Sequence, residues 1–120
     1  ITGKKVNDYR IPVLWMGGAL KKHMIFNNTA SQLDMAHSLV QQFHLPDNPF
    51  RFCKNLFDSS SKHWAFFTYN DGIGFVTDSS RILFDNTAKR VVFEEGKPGE
   101  NHGNIAKALM QIVYSDFLKK

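Results

Sequence analysis

Cysteine is almost missing from this 120-residue chain: Cys53 stands alone, so no disulfide can close within it and no all-cysteine zinc site can be built. Beside Phe52 and near Leu56 and Phe57, it reads as a small buried hydrophobe. Long apolar runs are missing too. The longest, Ile11–Met16, is interrupted by Pro12 and falls far short of the roughly 20 residues that cross a bilayer. The opening residues carry no signal- or transit-peptide pattern, and the first is Ile1 rather than Met, which fits an excised or processed piece of a longer chain. No repeat, low-complexity tract or linker breaks the sequence. Basic residues exceed acidic ones, 15 to 11, yet Lys4/Lys5, Lys21/Lys22 and Lys119/Lys120 are scattered pairs rather than a stripe. Solvated surface charge accounts for them, and no nucleic-acid partner is expected.

What is present is apolar and aromatic. Hydrophobic residues make up 42% of the chain, with 11 Phe, 2 Trp and 3 Tyr, enough for one compact domain over residues 1–120 and too much for disorder. Ile1–Tyr9 is polar and reads as a lead-in loop. Ile11–Met16 has the β-branched and aromatic bias of a strand buried on both faces, with Pro12 near its start or edge and Gly17-Gly18 ending it. Lys22–Phe26 reads as a short second strand, followed by a turn at Asn27-Asn28-Thr29.

Ser31 opens a helix. Ser31-Gln32-Leu33-Asp34 is a capping-box pattern in which the hydroxyl can take a backbone N–H three residues on, and Asp34 suits the positive end of the helix dipole. Leu33, Ala36, Leu39, Val40 and Phe43 then recur at helical spacing, opposite Gln32, Ser38, Gln41 and Gln42, until Pro46 and Pro49 stop the helix. Phe50–Ser61 is aromatic but punctuated, a packed loop with room for one helical turn. His63–Tyr69, Ile73–Thr77, Ser80–Phe84 and Lys89–Glu94 alternate as short strands. The links Asn70-Asp71-Gly72, Asp78-Ser79 and Asp85-Asn86-Thr87 are short enough to make them an antiparallel meander, the first through positive-φ turn residues. After a polar loop, Gly96–Gly103, a helix from about Asn104 offers Ile105, Ala108, Leu109, Ile112, Val113 and Phe117 to the sheet.

The chemistry-bearing inventory is nearly empty. His37 and His44 share a helix face but lie about 10 Å apart along it, too far for one ion bound directly by both. His23, His63 and His102 have no ligand-type spacing, and nothing pairs Cys53 with a histidine. Ser59-Ser60-Ser61 lacks the elbow glycines of a hydrolase nucleophile, and Gly72-Ile73-Gly74 lacks the third glycine and following helix of a dinucleotide site. Asp34 is explained by capping, Asp71 and Asp85 by turns. Asn27-Asn28-Thr29 matches a glycosylation acceptor, relevant only in a eukaryotic secretory setting. No catalytic, cofactor-binding or metal-binding residue is assigned in the chain.

Three stretches nevertheless carry a resemblance: RIPVLWMGGAL, SQLDMAHSLVQQFHLP, and HWAFFTYNDGIGFV with FDNT. Together, from about Tyr9 onward, they resemble the carboxy-terminal part of the sulfatase/alkaline phosphatase superfamily, closest to its lipoteichoic-acid-synthase-like phosphoglycerol transferase branch. The first is similar to the strand after that family's last metal-binding Asp-His, the second to its Ser-x-x-Asp helix, the third to its hairpin region. The resemblance implies an α/β fold (α+β in isolation): a strand and capped helix of an α/β layer, then a small antiparallel sheet packed on a C-terminal helix.

It also implies a parent enzyme acting on phosphate or sulfate esters through a Thr, Ser or formylglycine nucleophile and a divalent metal (Mn, Mg, Ca or Zn). Those groups precede the matched segment. No Asp-His-Gly occurs here, and Thr2, Thr29, Thr68, Thr77 and Thr87 stand outside the family's nucleophile context. Asp34 matches a family position that marks a helix start. The implied partner is the remainder of the catalytic domain, in a membrane-anchored parent whose catalytic part lies outside the cytoplasm. A strand Ile11–Met16 left with an open edge would favour a homodimer or strand exchange. The alternative is a free-standing interaction module that uses Phe50–Phe57 and Trp64 as its contact surface.

Overall fold

Four short antiparallel strands from Trp64 onward put side chains on two faces of a sheet, and the closing helix covers one of them. The computed structural model describes residues 6–18, 21–46, 50–97 and 101–119. A 3-10 turn at Val6–Tyr9 precedes helix α1 (Gln32–Gln42). Strands β1 (Trp64–Tyr69), β2 (Gly72–Thr77), β3 (Ser80–Asp85) and β4 (Arg90–Gly96) follow, and helix α2 (His102–Leu118) closes the chain. The strands pair in sequence order, each antiparallel to the next. The fold is α+β, with α2 laid on the sheet.

The register explains the core. Phe66 stands opposite Phe75, Phe75 opposite Ile82, and Ile73 opposite Phe84, so these side chains share one face. Against it α2 packs Ala106 and Met110, with Trp64, Val91 and Leu109 at the margins. On the other face Phe67, Gly74, Leu83 and Phe93 lie in one row across the sheet. There the Phe67 ring occupies the space a side chain at Gly74 would need, and Tyr9 stacks on Phe67 with centroids 4.0 Å apart. Two β4 residues, Val91 and Phe93, face Phe84 and Leu83, so Val92 is extra and forms a bulge.

Several details depart from the sequence reading. Ile11–Met16 and Lys22–Phe26 are not strands: both run as irregular chain, and Ile11, Val13, Leu14, Met16, Met24, Ile25 and Phe26 are exposed. A strand needs a neighbour for its backbone groups, and none of the four strands lies beside either stretch. The segment is pinned by Tyr9 on Phe67 and by Trp15 against Phe57, centroids 5.6 Å apart. Val6–Tyr9 is a 3-10 turn rather than a loop; residues 1–5, with Thr2 and Lys4/Lys5, lie outside the described residues, as do Pro49, the loop centre 98–100 and Lys120. The loop from Phe50 to Ser61 contains turns but no helix.

The hairpin at Asn70-Asp71 closes on the pair Tyr69 and Gly72, yet neither turn residue nor Gly72 has positive φ. Gly72 is required for space instead, because a Cβ there would overlap the Phe84 carbonyl and the Tyr69 hydroxyl. Helix α2 is apolar nearly all round. It buries Ala106 and Met110, whereas Ile105, Ile112 and Phe117, expected to face the sheet, are exposed.

The sharpest departure is α1. Leu33, Leu39 and Phe43, expected to turn inward, are 45%, 41% and 65% exposed, while Ser31, Asp34 and Ser38 are buried. The helix ends in a Schellman motif: Leu45 N–H donates to Val40 O at 3.1 Å and His44 N–H to Gln41 O at 3.2 Å. His44 holds the left-handed position (φ 51°) that glycine usually fills.

Candidate functional site

Asp34 is the best-satisfied carboxylate among the described residues. Being the third residue of α1 places it beside the free N–H groups of the helix start, and Ser31 N–H donates to its Oδ2 at 2.8 Å. The loop from Phe50 to Phe57 then brings Lys54 over it. Lys54 N–H donates to Asp34 Oδ1 at 2.7 Å, and its ammonium donates to Oδ2 at 2.8 Å and to Trp64 O at 2.8 Å. The same ammonium sits 3.9 Å above the Trp64 ring. Ser38, one turn further along, donates to Asp34 O at 2.6 Å and accepts Leu56 N–H at 2.8 Å. Ser31 Oγ accepts Phe66 N–H of β1 at 3.0 Å.

The arrangement is closed. The Asp34 side chain is wholly buried, Lys54 nearly so, and no buried side-chain N or O among the described residues lacks a partner. A general base needs a lone pair within reach of a substrate proton, and Asp34, wholly buried under three donors, presents none to solvent. The cluster is a clamp that joins helix, loop and sheet edge.

A second network is open to solvent. His63 Nδ1 lies 2.7 Å from Asp78 Oδ2, and its Nε2 lies 3.0 Å from the Asn28 amide nitrogen. With the proton on Nδ1, the ring donates to Asp78 and accepts from Asn28. Thr29 adds a hydroxyl bond of 2.6 Å and a backbone bond of 3.3 Å to Asp78 Oδ1. The Thr29 hydroxyl chiefly, with His63, holds the Asp78 carboxyl below the usual carboxylate range. The pair has the Asp-His half of a nucleophile-activating relay, but an amide stands where the nucleophile would be.

A third contact joins Ser80 Oγ to His102 Nδ1 at 2.8 Å, with Thr77 Oγ1 2.9 Å from the same hydroxyl. Ser80 is buried, and the His102 ring meets Phe75 edge-on. It fastens the start of α2 to the β2–β3 turn. Tyr69 donates to Phe84 O at 2.8 Å; burial first, then Asp85 and Asp71, pushes its hydroxyl up to about 12. Burial, then Asp34, raises the Cys53 thiol, so it is not an activated nucleophile.

No three His, Cys, Asp or Glu side chains gather around a common point among the described residues. Asp34 and Asp78, the carboxylates with the most partners, spend their oxygens on Lys54, Ser31, Thr29 and His63. This donor set does not suit a divalent ion, which needs several oxygens converging on one point. Serines 59–61 form a turn in which Ser60 bonds Asp58. Lys54 is the participant sequence reasoning missed; its one signal was a lysine amid aromatic residues. Trp64 packs inward, stacked near Phe66 and Phe75, which leaves Phe50 and Phe57 as the exposed aromatics of the loop.

One sizeable cavity lies elsewhere. A groove of about 700 Å³ runs between the C-terminal half of α2 and the β3–β4 turn. No helix among the described residues is long and apolar enough to cross a membrane. Comparison with protein-family models, curated proteins and solved structures found no match to this chain.

Proposed function

We propose that this chain is a non-catalytic carboxy-terminal subdomain of a larger metal-dependent enzyme, of the sulfatase and phosphoglycerol-transferase kind, acting on phosphate or sulfate esters. The observation that carries the reading is the outward apolar face of the N-terminal region. Ile11, Val13, Leu14, Met16, Ile25 and Phe26 are exposed, and α1 directs Leu33, Leu39 and Phe43 to the same solvent. A lone domain gains nothing from hiding serine and aspartate while exposing such side chains; a subdomain seated on a partner gains a hydrophobic interface. The four-stranded antiparallel sheet closed by a helix is the second part of the architecture the resemblance implies, whereas the strand expected at Ile11–Met16 is irregular chain. In this reading the nucleophile and the divalent ion belong to the rest of the catalytic domain, which a membrane-anchored parent holds outside the cytoplasm. This chain supplies a fixed wall rather than reacting groups.

The coding sequence immediately upstream of Ile1 tests the proposal. An Asp-His pair shortly before Ile1, with a Thr, Ser or Cys nucleophile further upstream, is the expected result. Unrelated sequence there overturns it. A parent enzyme so identified should lose ester turnover when Leu39 and Phe43 are both changed to aspartate, whereas the isolated chain should turn over neither phosphate nor sulfate esters.

A further inference from the structure

The groove beside α2 has a composition that the subdomain reading does not use. Its apolar lining comes from Phe84 on β3 and from Met110, Tyr114 and Leu118, which recur every fourth residue and so form one stripe along α2. Among the described residues, the charged ones that line it are Lys89, Lys107 and Lys119. None of the three belongs to an ion pair among the described residues. An apolar trough bordered by unpaired cations, with no carboxylate in its walls, complements a ligand with an apolar body and a negative end.

We propose that this groove binds a long-chain carboxylate, its alkyl tail along Met110, Tyr114 and Leu118 and its head between Lys89 of the β3–β4 turn and Lys107 of α2. The volume is in the range of small-molecule sites. Met110 to Leu118 spans about 12 Å of helix, the reach of a single medium-length tail. A helical peptide would instead want a longer face with anchors at several turns. A second copy of the chain brings its own net charge of +4 towards the same lysines, which disfavours it as the occupant. The proposal is independent of the subdomain reading, because it rests on α2 and the β3–β4 turn alone.

Titration of the full chain with dodecanoate below its micelle concentration, followed by calorimetry and amide NMR, tests it. Saturable one-to-one binding is expected, with shifts centred on Met110, Tyr114 and Leu118. The double variant Lys89→Glu/Lys107→Glu should weaken binding about tenfold. Leu118→Asp, at an exposed helix end where folding is not at risk, should weaken it as well. Absence of saturation, equal affinity for the neutral dodecyl maltoside, or unchanged binding by the double variant overturns the proposal. So does a dimer that perturbs the same residues without ligand, or displacement of dodecanoate by an acidic helical peptide.

Discussion

The two halves of this molecule put different side chains at their most buried positions. From Trp64 to Leu118, apolar side chains meet across the sheet and against α2, and Ile73 and Ile82 are almost wholly enclosed. From Ile11 to Phe43, polar side chains point inward and apolar ones outward, and the joint is an ion pair with its hydrogen bonds. The first half is held by area removed from water, a diffuse force shared over many contacts. The second is held by a few discrete contacts, Trp15 on Phe57, Thr29 on Asp78 and, most buried, Asp34 on Lys54, where losing either partner strands a charge. The contrast is between many diffuse contacts and a few specific, mostly polar ones.

The largest effect should come from breaking the point contact. Asp34→Ala leaves the Lys54 ammonium without a counter-ion and the Ser31 and Lys54 N–H groups without their acceptor, at a cost of about 3–5 kcal/mol. Urea unfolding will give the magnitude, and hydrogen exchange should show α1 amides losing protection while those of β2 and β3 keep theirs. If β2 and β3 are exposed equally, the two halves are not separable.

Next comes the diffuse contact. Ile73→Ala opens a cavity under α2 and should cost about 2–5 kcal/mol in the same measurement. Its counterpart on the outer face, Leu39→Ser, should cost less, about 1–1.5 kcal/mol, since that side chain is 41% exposed. Light scattering sharpens the pair: the chain should self-associate at high concentration, and Leu39→Ser/Phe43→Ser should reduce it. A concentration-independent monomer would argue that the exposed face is not adhesive.

A smaller effect is set by pH and falls on the sheet side. Tyr69 titrates at about 12 in the folded chain, above the ordinary value of 10.0. Its contribution to stability is therefore complete below pH 10 and lost as pH rises towards 12. Phenolate absorbance should show one late-titrating tyrosine, and Tyr69→Phe should remove this alkaline loss. The smallest change is His44→Gly, which relieves a left-handed residue at the end of α1 and should raise stability by up to about 1 kcal/mol.

The sheet was legible because its information is local. Trp64–Tyr69 and Ser80–Asp85 are short runs rich in aromatic and aliphatic residues, and two-residue links dictate antiparallel neighbours. The start of α1 was legible for the same reason, since Ser31 and Asp34 are three positions apart. Its orientation was not. Periodicity assumes that a helix hides its apolar stripe, and here Lys54 and Leu56, 20 and 18 residues away, bind the opposite stripe. Ile11–Met16 misled because its composition suits a strand, whereas strand formation depends on a neighbour that composition cannot supply. Helix α2, apolar on several faces, gave no single direction to choose. Lys119 was read as part of a scattered pair, and Lys89 and Lys107 drew no notice, because only the fold brings the three to one groove.

The clamp around Asp34 has one more effect, on the sheet's capacity to grow. Ser31 Oγ takes the Phe66 N–H, and the Lys54 ammonium takes the Trp64 carbonyl, so two backbone groups on the free margin of β1 are spoken for. At the far margin β4 carries Arg90, Glu94 and Glu95, charges that discourage an added strand. Helix α1 is thus a stopper as well as a structural element. Whatever lifts it away uncovers two backbone groups to which a strand of another chain could add, so strand addition at this margin should follow the loosening of one helix rather than the melting of the core.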